Sequence, residues 1–316
     1  MAVKRRSGLV AYLAYLAVRI GAFILQMFPL EANLRTMRFF GGWCCRLDRR
    51  RRTIARENLH RSLPELSNER LDAVTLRCFQ HFAMLFGVEL LCGFRAIDEW
   101  TWPRHVRLVN LQETVKLLLR RRGAILLTGH YGNFELTAYM LAALGFDAVA
   151  VMRPLDNVYL NRFLVATRGA RGLKLLDKFG ATTEAEDVLR RGGALGFVAD
   201  QDAGRKGVFV DFFGRPASTY KSIALLAMTC DVPIVVGYAR RIGDGFHYDL
   251  GVERIIQPEE WRGRDDPLTW ITQEYTRAIE SFVRAAPEQY LWLHRRWKTR
   301  PRNERPAAGG ATVPAG

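Results

Sequence analysis

Hydrophobic and polar positions change their period several times along this chain. Leu9 to Leu30 reads LVAYLAYLAVRIGAFILQMFPL, an apolar run with Arg19 as its one charge, about the length of the roughly 20 residues that cross a bilayer core. Asn68 to Phe94 carries apolar residues at helical spacing behind the start Ser67-Asn68-Glu69-Arg70, and Val109 to Arg122 repeats that spacing, so both predict helices. LLLRRRGAILLTGH (Leu117 to His130) and DVLRRGGALGFVAD (Asp187 to Asp200) then share one grammar: paired arginines, a glycine, a short apolar run and a polar residue. Cations complement a helix carboxyl end and glycine terminates it, so each segment predicts helix, cap and strand. His130 and Asp200 are thereby placed at one edge of one sheet. Further strands are predicted at Asp147 to Met152, Val208 to Phe213, Val232 to Tyr238 and Tyr248 to Val252. The alternation specifies an α/β fold, a mixed β-sheet flanked by helices. Residues 1–32 read as an N-terminal hydrophobic membrane-anchor helix, 33–300 as one domain, and 301–316, rich in Pro, Gly and Ala, as a disordered tail.

Composition changes the picture in two respects. The chain has 316 residues and 49% hydrophobic content, enough for a substantial core, while 47 basic against 32 acidic residues give a net charge of +15. Such a surface suits an anionic partner. Arg35, Arg38, Arg46, Arg49 to Arg52, Arg56 and Arg61 follow the apolar run and outnumber Lys4, Arg5 and Arg6 before it. That bias keeps the main domain cytoplasmic and sets an arginine-rich surface beside anionic headgroups. No helix-turn-helix, zinc-finger or RNP signature accompanies these arginines, so nucleic acid is not the expected partner. The five cysteines, odd in number and without a C-x-x-C pair, indicate neither a disulfide framework nor a zinc knuckle.

The candidate chemistry lies in GHYGNFE, Gly129 to Glu135. A buried strand that ends in Gly-His, turns through Gly132-Asn133 and opens a helix presents His130 at the carboxyl edge of the sheet, where open α/β folds build their sites. Glu135, in the first helical turn, is the carboxylate expected to hold the imidazole as a general base. G-x-S-x-G, Walker A, G-x-G-x-x-G and H-E-x-x-H motifs are absent, and no two of the six histidines have zinc-ligand spacing. No metal or cofactor is expected. A histidine base without a protein nucleophile suits activation of a substrate hydroxyl that attacks an activated acyl group directly.

Further segments carry a resemblance. VMRPLDN (Val151 to Asn157), RFLVATRGARGLKLLDK, VADQDAG (Val198 to Gly204), VDFFGRPASTYKS, PEQYLWLHRRWKTRP (Pro287 to Pro301) and the early block RRTIARENLHRSLPELS stand with GHYGNFE in one order. In this the chain is similar to the bacterial lipid A biosynthesis acyltransferases, the late lauroyl- and myristoyl-transferring enzymes of the H-x4-D/E glycerolipid acyltransferase-like superfamily. The resemblance implies transfer of a fatty acyl chain from a thioester, usually on acyl carrier protein, to a hydroxyl of a membrane glycolipid such as a lipid A precursor, at the cytoplasmic face of the inner membrane. It implies His130 as base and Glu135 as its orienting partner. Arg168 is matched to a phosphate or developing oxyanion, Asp200 to polar substrate contacts or to fixing that arginine, and Arg153 to a second phosphate contact. Trp292, His294, Arg295, Arg296 and Trp297 read as core and membrane-interface anchors. Acyl carrier proteins are acidic, so the positive surface gains a second purpose in steering the donor. The same dyad suits enzymes that acylate lysophospholipids or phosphatidylinositol mannosides, or a thioesterase. A basic membrane-binding protein with a structural His130 is the non-enzymatic alternative.

Overall fold

The computed structural model describes residues 7–169, 172–177 and 182–301, so Lys4 to Arg6 and nearly all of the expected tail lie outside the described residues. The chain opens with four helices, α1 (Leu9–Gln26), α2 (Leu30–Leu47), α3 (Arg49–Ser62) and α4 (Asn68–Met84). Pro29, which cannot continue α1, starts α2, a helix the periodicity did not predict. Ser67 accepts from the Arg70 amide at 3.3 Å and caps α4, whose Leu71, Val74, Cys78 and Phe82 are buried at spacings of three and four. Thus α4, though long and apolar, is a core helix. It widens into one π-helical turn at Leu85–Glu89, followed by the single turn α5 (Leu90–Cys92).

The remainder alternates strand and helix. It runs β1 (Val106–Val109), α6 (Gln112–Leu119), β2 (Ala124–Thr128), α7 (Phe134–Ala143), β3 (Ala148–Met152), α8 (Val158–Gly169), β4 (Lys174–Asp177), α9 (Thr182–Arg190) and β5 (Ala194–Val198). Then come a hairpin, β6 (Val208–Phe212) and β7 (Arg215–Thr219), followed by α10 (Ser222–Cys230), β8 (Ile234–Arg241), β9 (Tyr248–Ile256), α11 (Pro258–Trp261) and α12 (Pro267–Ala285). Among the described residues seven strands form one sheet in the order β1-β9-β8-β2-β5-β3-β4, parallel except where β8 meets β9. This is the mixed α/β architecture expected.

Alternate residues of the central strands face opposite layers. Ile125, Leu127 and Leu195 join the main core with α9, α10 and α12, whereas Ala124, Leu126 and Ala194 pack against Leu118 of α6 and Leu141 of α7. The expected strand at Val208 to Phe213 lies outside the main sheet, paired with β7 and tied to α12 through the Asp211 amide on Gln273 Oε1, 2.8 Å. Val109 to Arg122, expected as one helix, is the end of β1, a turn with Asn110 at φ 55°, and α6. β1 and β4 escaped notice because each is only four residues long and its apolar run is interrupted by Arg107 in β1 or bounded by Lys174 and Asp177 in β4.

Candidate active site

The parallel pairing of β2 with β5 places Thr128 beside Val198, so the two strands end together. Two residues beyond each stand His130 and Asp200. The His130 amide donates to Asp200 Oδ2 at 2.9 Å, and Nδ1 of the same residue lies 2.6 Å from Asp200 Oδ1. A carboxylate only accepts, so Nδ1 carries the hydrogen and Nε2 presents its lone pair, with the Gln201 amide nitrogen 3.3 Å away. The Tyr290 hydroxyl also bonds Asp200.

This differs from the sequence expectation, which gave the imidazole to Glu135. Asn133 caps α7, its Oδ1 accepting from the Leu136 amide at 3.1 Å, and the helix turns Glu135 toward α8, where it forms an ion pair with Arg168. Asp200 does not fix Arg168, as the resemblance had allowed; Glu135 does. Arg168 also donates from Nη1 to Met152 Sδ at 3.4 Å, and its buried Nε has no hydrogen-bond partner. Arg153 stands at the rim, largely exposed, 3.5 Å from Asp156. Gln201 and Tyr290 were not singled out in the sequence; the only signal was their place inside two motif blocks.

The electrostatics follow from burial and charge. Burial alone would depress the His130 pKa, but the charge and hydrogen bond of Asp200, with a smaller contribution from Glu135, outweigh it and raise the value above 6.5. Burial would raise Asp200, but His130 outweighs it and holds the carboxyl below the usual aspartate range. For Glu135 burial wins over Arg168, and its pKa is raised.

The turn between His130 and Glu135 is held from three sides. The carboxyl-terminal segment supplies the Leu291 amide to His130 O at 3.1 Å and accepts the Gly132 amide at Gln289 O, 3.0 Å. Its Trp292 and Arg296 are buried, so two members of that aromatic and basic cluster are core residues, as is the neighbouring Tyr290. From β8, Ala239 O accepts the Asn133 amide at 2.9 Å. Beneath lies a buried ionic cluster. Glu89, delivered by the π-helical turn, pairs with Arg241 and accepts from Asn133 Nδ2 at 2.8 Å and the Tyr248 hydroxyl at 2.5 Å. His81, pushed down to about 3 by burial and the Arg241 charge, is neutral and bonds Gly132 O at 3.1 Å. Gly132 has φ +54°, and a Cβ there would lie 1.9 Å from Ala239 O. Gly132→Ala should therefore cost about 3 kcal/mol or more through strain and overpacking, read as a lowered denaturant midpoint; an unchanged midpoint would show that the turn is not so held.

A cavity of about 980 Å³ opens at this edge, with His130, Glu135, Arg168 and Gln201 at its polar end. Under α6 and α7 its floor is the row Leu126, Gly196, Ala150, Leu175, neighbours across β2, β5, β3 and β4, so the two middle positions lack bulk. A Cβ on Gly196 would meet its nearest neighbours, Val149 O and the Cα and Cβ of Ala150, at ordinary contact distances of 3.6 to 3.9 Å. Leu118, Leu141 and Phe146, packed together on that side of the sheet, also line the cavity. No cluster of His, Cys, Asp and Glu able to hold a metal occurs among the described residues.

The chain is 26% identical over 295 residues to the lipid A biosynthesis lauroyltransferase of Escherichia coli (strain K12), covering 92% of each chain. It is 29% identical over 265 residues to the lipid A biosynthesis palmitoleoyltransferase of that organism, 81% of each. To the myristoyltransferase it is 24% identical over 261 residues, 82% of this chain and 79% of the relative. The family model for bacterial lipid A biosynthesis acyltransferases matches residues 3–299, nearly the whole chain, and the protein belongs to that family of enzymes.

Proposed function

We propose that this acyltransferase moves a fatty acyl chain from an acyl thioester, carried by acyl carrier protein, to a hydroxyl of a lipid A precursor at the cytoplasmic face of the inner membrane. The observation that carries the reading is the imidazole of His130, backed by a buried Asp200 at Nδ1 and turned by Nε2 toward a long apolar cavity. The acceptor hydroxyl gives its proton to Nε2 as its oxygen attacks the thioester carbonyl. When the C–S bond breaks, Nε2–H returns the proton to the departing thiolate. Asp200 stabilises the charged ring between these steps and fixes its tautomer. Arg168, held by Glu135 with a free Nε, is suited to the oxyanion or a phosphate, and Arg153 at the rim to a phosphate. In this reading residues 1–32 anchor an acyltransferase domain of residues 33–300.

Purified protein incubated with labelled acyl carrier protein thioester and a lipid A precursor tests the proposal: labelled lipid supports it, while free fatty acid alone, or no product, sinks it. The base must be neutral, so kcat/KM should fall as pH drops through a value above 6.5. In Asp200→Asn that acid limb should move below 6.5, because burial then acts without its counter-charge; a limb that stays in place would remove Asp200 from this role.

The trough makes its own prediction. The acyl chain descends from His130 over the Leu126, Gly196, Ala150, Leu175 row. A Gly196→Leu side chain should shorten the preferred donor, with roughly fourfold lost in kcat/KM for each methylene displaced. Competition between thioesters of graded length reads this, and an unaltered length profile would place the chain elsewhere.

A further inference from the structure

The first helix presents two unlike stripes. Ala11, Tyr15, Val18, Ala22 and Leu25, spaced four, three, four and three apart, turn toward the rest of the protein, with Ala11 and Ala22 buried and Leu25 packed on the core around Leu34. Val10, Leu13, Ile20, Ile24 and Met27 form the opposite stripe, apolar and exposed. A helix that is apolar all round but packed on one side only leaves a face that water does not favour.

Contacts to the domain run from one end of this helix to the other. At the start, Asn157 Nδ2 donates to Ala11 O at 2.8 Å and the Tyr159 hydroxyl to Ser7 O at 3.0 Å. Tyr12 and Tyr15 pack on Tyr159 and Phe163 of α8. At the finish, Asn33 Nδ2 donates to Leu25 O at 2.6 Å. Within α1 the step of 14 residues from Ala11 to Leu25 separates these two anchoring points by about 21 Å. A helix spanning a hydrocarbon layer of about 30 Å has its ends in different compartments. Here both ends touch the same body, and the elements beside the first turn bear exposed charge, Arg153, Asp156 and Arg162, which hydrocarbon does not accommodate. Arg19 fits the same arrangement: it leans onto the flank, bonded to the Tyr15 hydroxyl at 3.0 Å and over the Phe163 ring at 5.2 Å. In a spanning helix it would stand near the bilayer centre.

We propose that α1 is an in-plane helix seated in one leaflet of a lipid bilayer, its outer stripe covered by acyl chains and both of its ends on the side of the catalytic domain. α2 continues the surface with exposed Phe40, Trp43 and Leu47 among Arg35, Arg46 and the arginines that open α3, apolar side chains bordered by the charge that an anionic headgroup layer complements. The proposal does not depend on which hydroxyl is acylated.

Two measurements on the full chain test it. Cysteine reporters, Ser7→Cys and Asp265→Cys, each in a background in which the accessible Cys44, Cys92 and Cys230 are replaced by serine and only the buried Cys45 and Cys78 remain, are exposed in spheroplasts to a membrane-impermeant maleimide before and after the membrane is breached. In-plane seating expects both positions to label from the same side, to within about twofold; labelling of position 7 and position 265 from opposite sides overturns it. In the second, Val10→Gln, Ile20→Gln and Ile24→Gln are combined, and flotation is measured with vesicles of phosphatidylethanolamine and phosphatidylglycerol. Partitioning should fall at least about tenfold, because these side chains support nothing inside the fold; partitioning equal to the parent protein overturns lipid as the cover of this stripe.

Discussion

His130→Ala should lower acyl transfer by about 10²- to 10⁴-fold, the usual contribution of a positioned general base, while the protein still folds and still binds membranes. Asp200→Asn should fall into the same range for a different reason. The asparagine amide can donate to Nδ1, which moves the imidazole hydrogen to Nε2 and removes the lone pair that accepts the hydroxyl proton. Glu135→Gln leaves the His130–Asp200 pair in place, so its acid limb should shift less than that of Asp200→Asn, and its defect should resemble that of Arg168→Ala. Steady-state transfer assays across pH separate these cases, and near-wild-type turnover in His130→Ala would end the assignment. The pair also links pH to stability. The His130 pKa is raised in the fold, so its contribution is fully present below 6.5 and is lost as pH rises through the folded value; the Asp200 pKa is depressed, so its contribution is present above 3.8 and is lost as pH falls through the folded value.

The second large effect lies under the turn and not in it. Glu89→Gln should destabilise the protein by about 3 to 5 kcal/mol, since it strands Arg241 as a buried, uncompensated charge. The replacement still offers an oxygen to Tyr248 and Asn133, so the loss isolates the ion pair. Replacing both partners, Glu89→Leu with Arg241→Met, should recover much of the stability, yet transfer should stay low because Asn133 Nδ2 then loses its acceptor and the turn carrying His130 loosens. Chemical denaturation and transfer assays on the same three proteins read both. Equal recovery of stability and activity in the double variant would show that Glu89 serves the fold alone.

Much of the fold was legible along the chain because its signals are local. The paired arginines and glycines before β2 and β5 marked two helix ends and two strand starts, and the parallel edge with His130 and Asp200 followed from them. The hairpin β6–β7 was half visible: the apolar run 208–213 showed a strand, but nothing nearby said that it would leave the main sheet for α12. The first helix was legible as an apolar run, whereas its packed stripe was not, since Tyr159, Phe163 and Asn157, the residues that meet it, lie well over a hundred positions away.

The site shows the same division. Sequence by itself determined the family, the strand-turn-helix that presents His130, and the presence of Glu135, Arg168 and Asp200 in their motif blocks, because each is a matter of residue type at short spacing. Only the tertiary structure decided which carboxylate holds the imidazole. Five residues of separation made Glu135 the natural partner, but a hydrogen bond is satisfied by direction and distance, and the register of β2 against β5 brings Asp200 to 2.6 Å from across 70 residues, while α7 carries Glu135 to Arg168. The buried Glu89–Arg241 pair, the Gly196 trough and the two faces of α1 belong to the same class, for each exists only where segments far apart in the chain pack against one another.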